Sequence, residues 1–126
     1  MQLELMRSSS AADLRESLEK MLDDLEQGRA RPLLLRVAQM WAEGRADEMG
    51  RYREWCDCAR TTYERVALKA MLDDRNGPMA ARIDALHAGG KTVFAAVGSL
   101  HMFGPTGLPA LMAKRGYKVE RIKFSP

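Results

Sequence analysis

The sequence predicts an α+β chain that is predominantly helical, with about five helices followed by a C-terminal β-α-β unit. Apolar residues recur at helical spacing as far as Leu86, and the period changes after Gly89-Gly90. An apolar run, a loop, a helical stripe and an alternating segment then follow in that order. Over 126 residues this makes one domain or a fragment, with a helical region over 1–72 and the remaining elements over 73–126.

The first helix carries Leu14, Leu18, Met21, Leu22 and Leu25 on one stripe, with Ser10 and Asp13 as a capping box and Gly28 after its last turn. Pro32 suits the first turn of a second helix, where a missing N–H costs nothing; its apolar side is Leu33, Val37, Met40 and Trp41. Met49, Tyr52 and Cys56, with Trp55 alongside, mark a third and shorter one. Thr61 and Glu64 repeat the capping signal ahead of Tyr63, Val66, Ala67, Ala70 and Met71. Pro78 either begins a fifth helix or kinks the fourth, and Met79, Ile83 and Leu86 form the next buried face.

Residues 92–97 are apolar without alternation, as expected of a strand buried on both faces. A glycine-rich loop leads to a helix with Leu108, Leu111 and Met112 that stops at Gly116. Residues 117–124 then read as an edge strand with a bulge between Val119 and Ile122. The two strands are expected to be parallel with a right-handed crossover. Two strands alone are marginal, so a partner chain or a short strand over 3–6 is expected to complete the sheet.

Composition excludes several classes. The chain is 46% hydrophobic and 29% charged, which argues against long disorder, and 20 basic against 17 acidic residues is no footprint of a nucleic-acid binder. No apolar run reaches the length of a membrane span, and the N-terminus as given has no signal-peptide pattern. Cys56 and Cys58 are expected to be small thiols on a helix, poor disulfide partners for each other. The nine methionines read as packing. Lys114, Arg115, Lys118, Arg121 and Lys123 read as a solvated, edge-protecting cluster.

Chemistry is expected in the loop after residue 97, because ligands of α/β units gather at the carboxyl ends of strands. Gly98 lets the backbone turn, His101 follows three residues on, and Gly104, Pro105 and Gly107 shape the start of the next helix. The glycines match neither common phosphate-loop spacing, and on composition alone His101 reads more readily as a hydrogen-bonded structural residue than as a ligand or acid/base group.

The string VFAAVGSLHMFGPTGL over 93–108, followed by Gly116-Tyr117-Lys118-Val119, resembles the C-terminal signature of the TraB/GumN family, related to the Tiki proteins. Arg75-Asn76 with Met79-Ala80 and Ile83 is similar to the family's helix ahead of that signature. The motifs cover about residues 72–123; the helical region before them fits in layout only. The resemblance implies metal-dependent hydrolysis, of peptide bonds, at a site formed by two G-x-x-H histidines, an arginine and acidic residues. Here it assigns His101 as catalytic residue and metal ligand, Arg75 as the arginine, and Asn76, Gly98, Gly104 and Gly107 as binding or orienting positions. A divalent metal is thus implied as cofactor, a peptide or protein as substrate, and the periplasm or cell envelope as location. The first G-x-x-H has no counterpart, since His87 does not match it and Glu4 lies in too short a match. The remaining metal ligands are therefore expected from outside this chain, from a missing N-terminal half or another copy. The chain alone is expected to be catalytically incomplete. For Arg75 the residues also allow a salt bridge with Asp73 or Asp74. For the chain as a whole they allow a non-enzymatic binding or self-association module in which the G-x-x-H loop is structural.

Overall fold

A computed structural model describes residues 10–122. It contains helices α1 (Ala11–Glu26), α2 (Ala30–Ala42), α3 (Ala46–Gly50), α4 (Tyr52–Trp55), α5 (Thr62–Leu68), α6 (Asp74–Ala88) and α7 (Leu108–Lys114). A π turn over Lys69–Asp73 joins α5 to α6, and a 3-10 turn spans Ser99–Met102.

The helical expectation holds and the β-α-β expectation does not. Among the described residues there is no strand, hence no parallel pair and no crossover. Residues 92–97 carry no regular structure, and Phe94, placed by the sequence in a doubly buried strand, is 93% exposed. A strand exists only when a second backbone accepts its hydrogen bonds, and an apolar run does not say where that backbone lies. Residues 117–122 pair with nothing either. They are tied instead to α6, where the Tyr117 hydroxyl donates to Asp84 Oδ1 at 2.7 Å and its ring meets His87 edge-on, centroids 5.4 Å apart. The expected strand over 3–6, with Glu4, lies outside the described residues, as do Lys123 and Phe124.

Local signals are realised closely. At the start of α1 the Ser10 Oγ accepts from the Asp13 N–H at 3.1 Å, and the Asp13 carboxylate accepts from the Ser10 N–H at 3.1 Å. Thr61 and Glu64 form the same reciprocal pair ahead of α5, at 3.0 and 2.9 Å. The expected third helix is broken into α3 and α4, yet buries Met49 and Tyr52 and, just beyond α4, Cys56, as its spacing implies. Pro78 does not begin a helix: it is the fifth residue of α6, which starts ahead of it and continues from α5 through the π turn, closer to the expectation of an interrupted fourth helix. A π turn absorbs a mismatch in the helical ladder, and here the mismatch precedes a residue with no N–H to contribute.

The core is small and off-centre in the chain. Met40, Met49, Tyr52, Cys56, Ala80 and Leu108 are its buried apolar residues, with Asn76 and His101 as buried polar ones. α6 packs on α7, and the 3-10 turn packs on both α7 and the π turn. The α1 stripe, by contrast, stays exposed, from 45% at Leu14 to 59% at Leu25, and Trp41 on α2 is 77% exposed. α2 still sends Met40 into the core, and polar contacts tie both helices to the rest: Lys20 to Glu64 at 3.4 Å, Arg36 to Glu48 at 2.7 Å, and the Arg36 guanidinium over the Trp55 ring at 4.5 Å. Exposed pairs of this kind contribute under about 1 kcal/mol each.

The cysteines correct a further expectation. Cys56 and Cys58 are joined by a disulfide. Asp57 between them adopts a left-handed φ of 55°, which folds the chain back and leaves the two Cα atoms 5.1 Å apart, inside the range a disulfide spans.

Candidate functional site

α6 begins with Asp74, Arg75 and Asn76, so the π turn and the first helical turn place Asn76 against the 3-10 turn. Gly98 caps that turn, and the His101 N–H donates to the Gly98 carbonyl at 3.0 Å, which sets the imidazole over α6. Asn76 is 2% exposed and His101 8%.

The hydrogen bonds fix the tautomer of the histidine. Asn76 Nδ2 donates to the Thr106 carbonyl at 2.8 Å, and a carbonyl only accepts, so the amide can face only one way. Its Oδ1 therefore faces His101 Nδ1, at 2.6 Å, and that nitrogen must carry the proton. In the neutral ring the lone pair then sits on Nε2, which no described residue engages. Burial, followed by the positive charge of Arg75, holds the imidazole below its ordinary pKa of 6.5.

This shift has a defined sign. Between the lowered native value and 6.5 the unfolded chain binds a proton that the native chain refuses, so stability falls as pH drops below about 6.5. The contribution is complete above that value. Urea midpoints at about pH 7.5 and about pH 5.5 are expected to separate more in the native chain than in His101→Gln. Equal separations would remove the neutral buried imidazole from the account.

Around this pair lies a polar chain with little signal in the sequence. The Thr106 hydroxyl donates to Asp73 Oδ1 at 2.9 Å, Arg53 Nη2 donates to Asp73 Oδ2 at 2.8 Å, and Arg53 Nε reaches the Tyr52 hydroxyl at 3.0 Å. Burial pushes the Asp73 carboxyl up, but its bonds to Arg53 and Thr106 and the charges of Arg53 and Lys69 outweigh that and leave it low. These residues surround a cavity of about 180 Å³ with Asn76, Phe103 and Gly104 in its wall. A larger cleft, about 610 Å³, lies between α1, α2 and the cysteine turn and shares no residue with it.

The expected site residues thus take different positions. His101 and Asn76 are in contact. Arg75 acts on His101 through its charge; it forms no ion pair with a described residue, because Asp73 goes to Arg53 and Asp74 to Lys69. Gly98 is adjacent to the ring, but at φ −60° with its nearest neighbour to an added Cβ 3.7 Å away, the position does not demand glycine. Gly104 and Gly107 shape the turn instead: Gly104 has φ +77°, and Gly107 lies against the Phe103 backbone. Arg53, Asp73 and Thr106 are not legible as site residues, and the one hint is that Thr106 lies within the 93–108 string and Asp73 just ahead of Arg75.

As a metal site, the donor set fits one coordination position. His101 Nε2 has the geometry of a ligand whose other ring nitrogen is anchored, but no three His, Cys, Asp or Glu converge among the described residues. His87 is engaged with Tyr117 elsewhere on α6.

A helical chain whose one buried histidine, from a G-x-x-H loop, is held by the asparagine of an Arg-Asn helix carries both motifs quoted above in one place. The chain belongs to the TraB/PrgY/gumN family, whose model it matches over residues 1–121. The match extends well before the motifs, into the helical region that resembled the family in layout alone. No curated protein and no solved structure matches.

Proposed function

We propose that the chain contributes the histidine of a metal-dependent hydrolytic site acting on peptide bonds, and that it does not complete that site by itself. The observation that carries this reading is the anchored tautomer: Asn76 fixes the Nδ1 proton and leaves the lone pair of a buried imidazole on Nε2, with no partner among the described residues. Metal-ligating histidines are held in this way so that no rotation is needed on binding. A divalent metal, when bound, supplies carbonyl polarisation and an acidified water. Arg75, always charged and without an ion-pair partner among the described residues, suits an anionic group developing beside the ring. A catalytic metal takes about three protein ligands, so one imidazole supports only weak binding here.

The test is titration of the purified chain with Co²⁺ or Zn²⁺ followed by equilibrium dialysis. Weak binding is expected in the native chain, reduced on the order of tenfold in His101→Ala. Indistinguishable binding overturns the metal reading. It would favour the alternative of a self-associating module with a structural G-x-x-H loop, for which the exposed apolar faces of α1 and α2 speak.

A further inference from the structure

The disulfide between Cys56 and Cys58 is a chemically reactive group that the site around His101 does not use. It closes a loop of three residues, from Cys56 to Cys58. Cross-links stabilise a fold through the chain entropy they remove, which grows with loop length, so this one contributes close to the least a disulfide can. It joins no two elements that the backbone does not already join.

Closing the ring also has a cost. Asp57 sits at φ 55°, a left-handed conformation uncommon for a residue other than glycine, though Asp takes it more readily than most. The pair is therefore poorly suited to be a permanent staple.

Its surroundings differ between the two sulfurs. Cys56 is buried, at 8% exposure, whereas Cys58 is partly exposed. The backbone N–H of Cys58 points at Cys56 Sγ, 3.2 Å away, and an amide aimed at sulfur favours the thiolate over the thiol. Both cysteines line the cleft of about 610 Å³ beside α1 and α2, which leaves room for a small molecule to approach.

We propose that Cys56 and Cys58 are a redox-active pair that exchanges with low-molecular-weight thiols, with Cys58 as the attacked sulfur and Cys56 as the leaving thiolate. A thiolate R–S⁻ forms a bond to Cys58 Sγ while the bond between the two cysteine sulfurs breaks and its electron pair leaves on Cys56. A second R–S⁻ attacks the R sulfur of the mixed disulfide, giving R–S–S–R and the Cys58 thiolate. Two small thiols are oxidised, the protein disulfide is reduced to two thiols, and the protons lost by the small thiols are taken up by the cysteines. With R–S–S–R in excess the sequence runs backwards. None of this involves His101.

The experiment incubates the intact chain in mixtures of reduced and oxidised glutathione, quenches with acid, alkylates with iodoacetamide and reads adducts by intact mass. The pair is expected to go from no adducts in oxidised glutathione to two in excess reduced glutathione, without denaturant. Cys56→Ser is expected to form the glutathione mixed disulfide on the order of tenfold faster than Cys58→Ser, because access governs exchange. Three results would overturn the proposal. One is a disulfide that reduced glutathione opens only after denaturation, and another is two free thiols that persist in oxidised glutathione. The third is equal rates in the two variants.

Discussion

Gly107→Ala is expected to lower stability by about 2–3 kcal/mol, through forced overpacking, and to lower the melting temperature by roughly 10 °C. The added Cβ would lie 2.5, 2.8 and 2.9 Å from the O, C and N of Phe103. All three are backbone atoms, so no rotamer change relieves the clash, and the turn over 103–107 must shift. That turn carries the Thr106 carbonyl to Asn76 and the Thr106 hydroxyl to Asp73, so the site loosens along with the fold. Two neighbouring glycines calibrate the effect. Gly104→Ala meets no atom within 4 Å and is strained only by its φ of +77°, a cost of about 1 kcal/mol. Gly98→Ala has both room and an ordinary φ, and is expected to change stability by less than about 0.5 kcal/mol. Urea unfolding followed by circular dichroism orders the three, and any order other than 107, 104, 98 contradicts the geometry.

Asn76→Ala is the second large effect, expected at about 1–3 kcal/mol because it strands the buried Nδ1–H of His101 and also removes the bond to the Thr106 carbonyl. The His101 Nδ1–H would lose its bond in a place where water enters poorly, whereas Thr106 is an exposed residue on the turn. The imidazole would also be released to either tautomer. Asn76→Asp separates these consequences. A carboxylate still accepts the Nδ1 proton but cannot donate to Thr106, so some stability is lost while the positive imidazolium gains a partner. Proton NMR titration of His101 is then expected to show a higher pKa than in the native chain, reversing the effect of burial and Arg75. A pKa unmoved in Asn76→Asp, together with an unchanged midpoint in Asn76→Ala, would remove the Asn76 bond from the site.

What the sequence revealed follows the range of each interaction. Ser10 with Asp13, and Thr61 with Glu64, were legible as caps because both partners sit three residues apart and need nothing else. The G-x-x-H and Arg-Asn motifs named His101 and Asn76 separately, and the structure supplies the 2.6 Å contact across 25 residues. Arg53 and Thr106 reach Asp73 across 20 and 33 residues with no pattern to announce them. The same reason explains the strands: six apolar residues state a preference for burial, and pairing is decided by a backbone elsewhere. Periodicity on α1 identified its apolar side correctly but could not say whether anything covers it. At Cys56 and Cys58 the spacing looked prohibitive, and a single left-handed residue, Asp57, changed the outcome.

The uncovered side of α1 has a consequence for how the chain comes apart. Opening an element is opposed chiefly by the apolar surface that opening would newly wet, and on this helix, which buries no residue, that surface is already wet, whereas α2 holds Met40 in the core. The unfolding of α1 adds little heat capacity and exposes little to denaturant, so its amides exchange with solvent through local openings. Amides of α6, backed by Ala80, Leu108 and the Asn76–His101 pair, wait for the loss of the core. Hydrogen exchange would therefore divide the chain into an early and a late part, with the histidine in the late one.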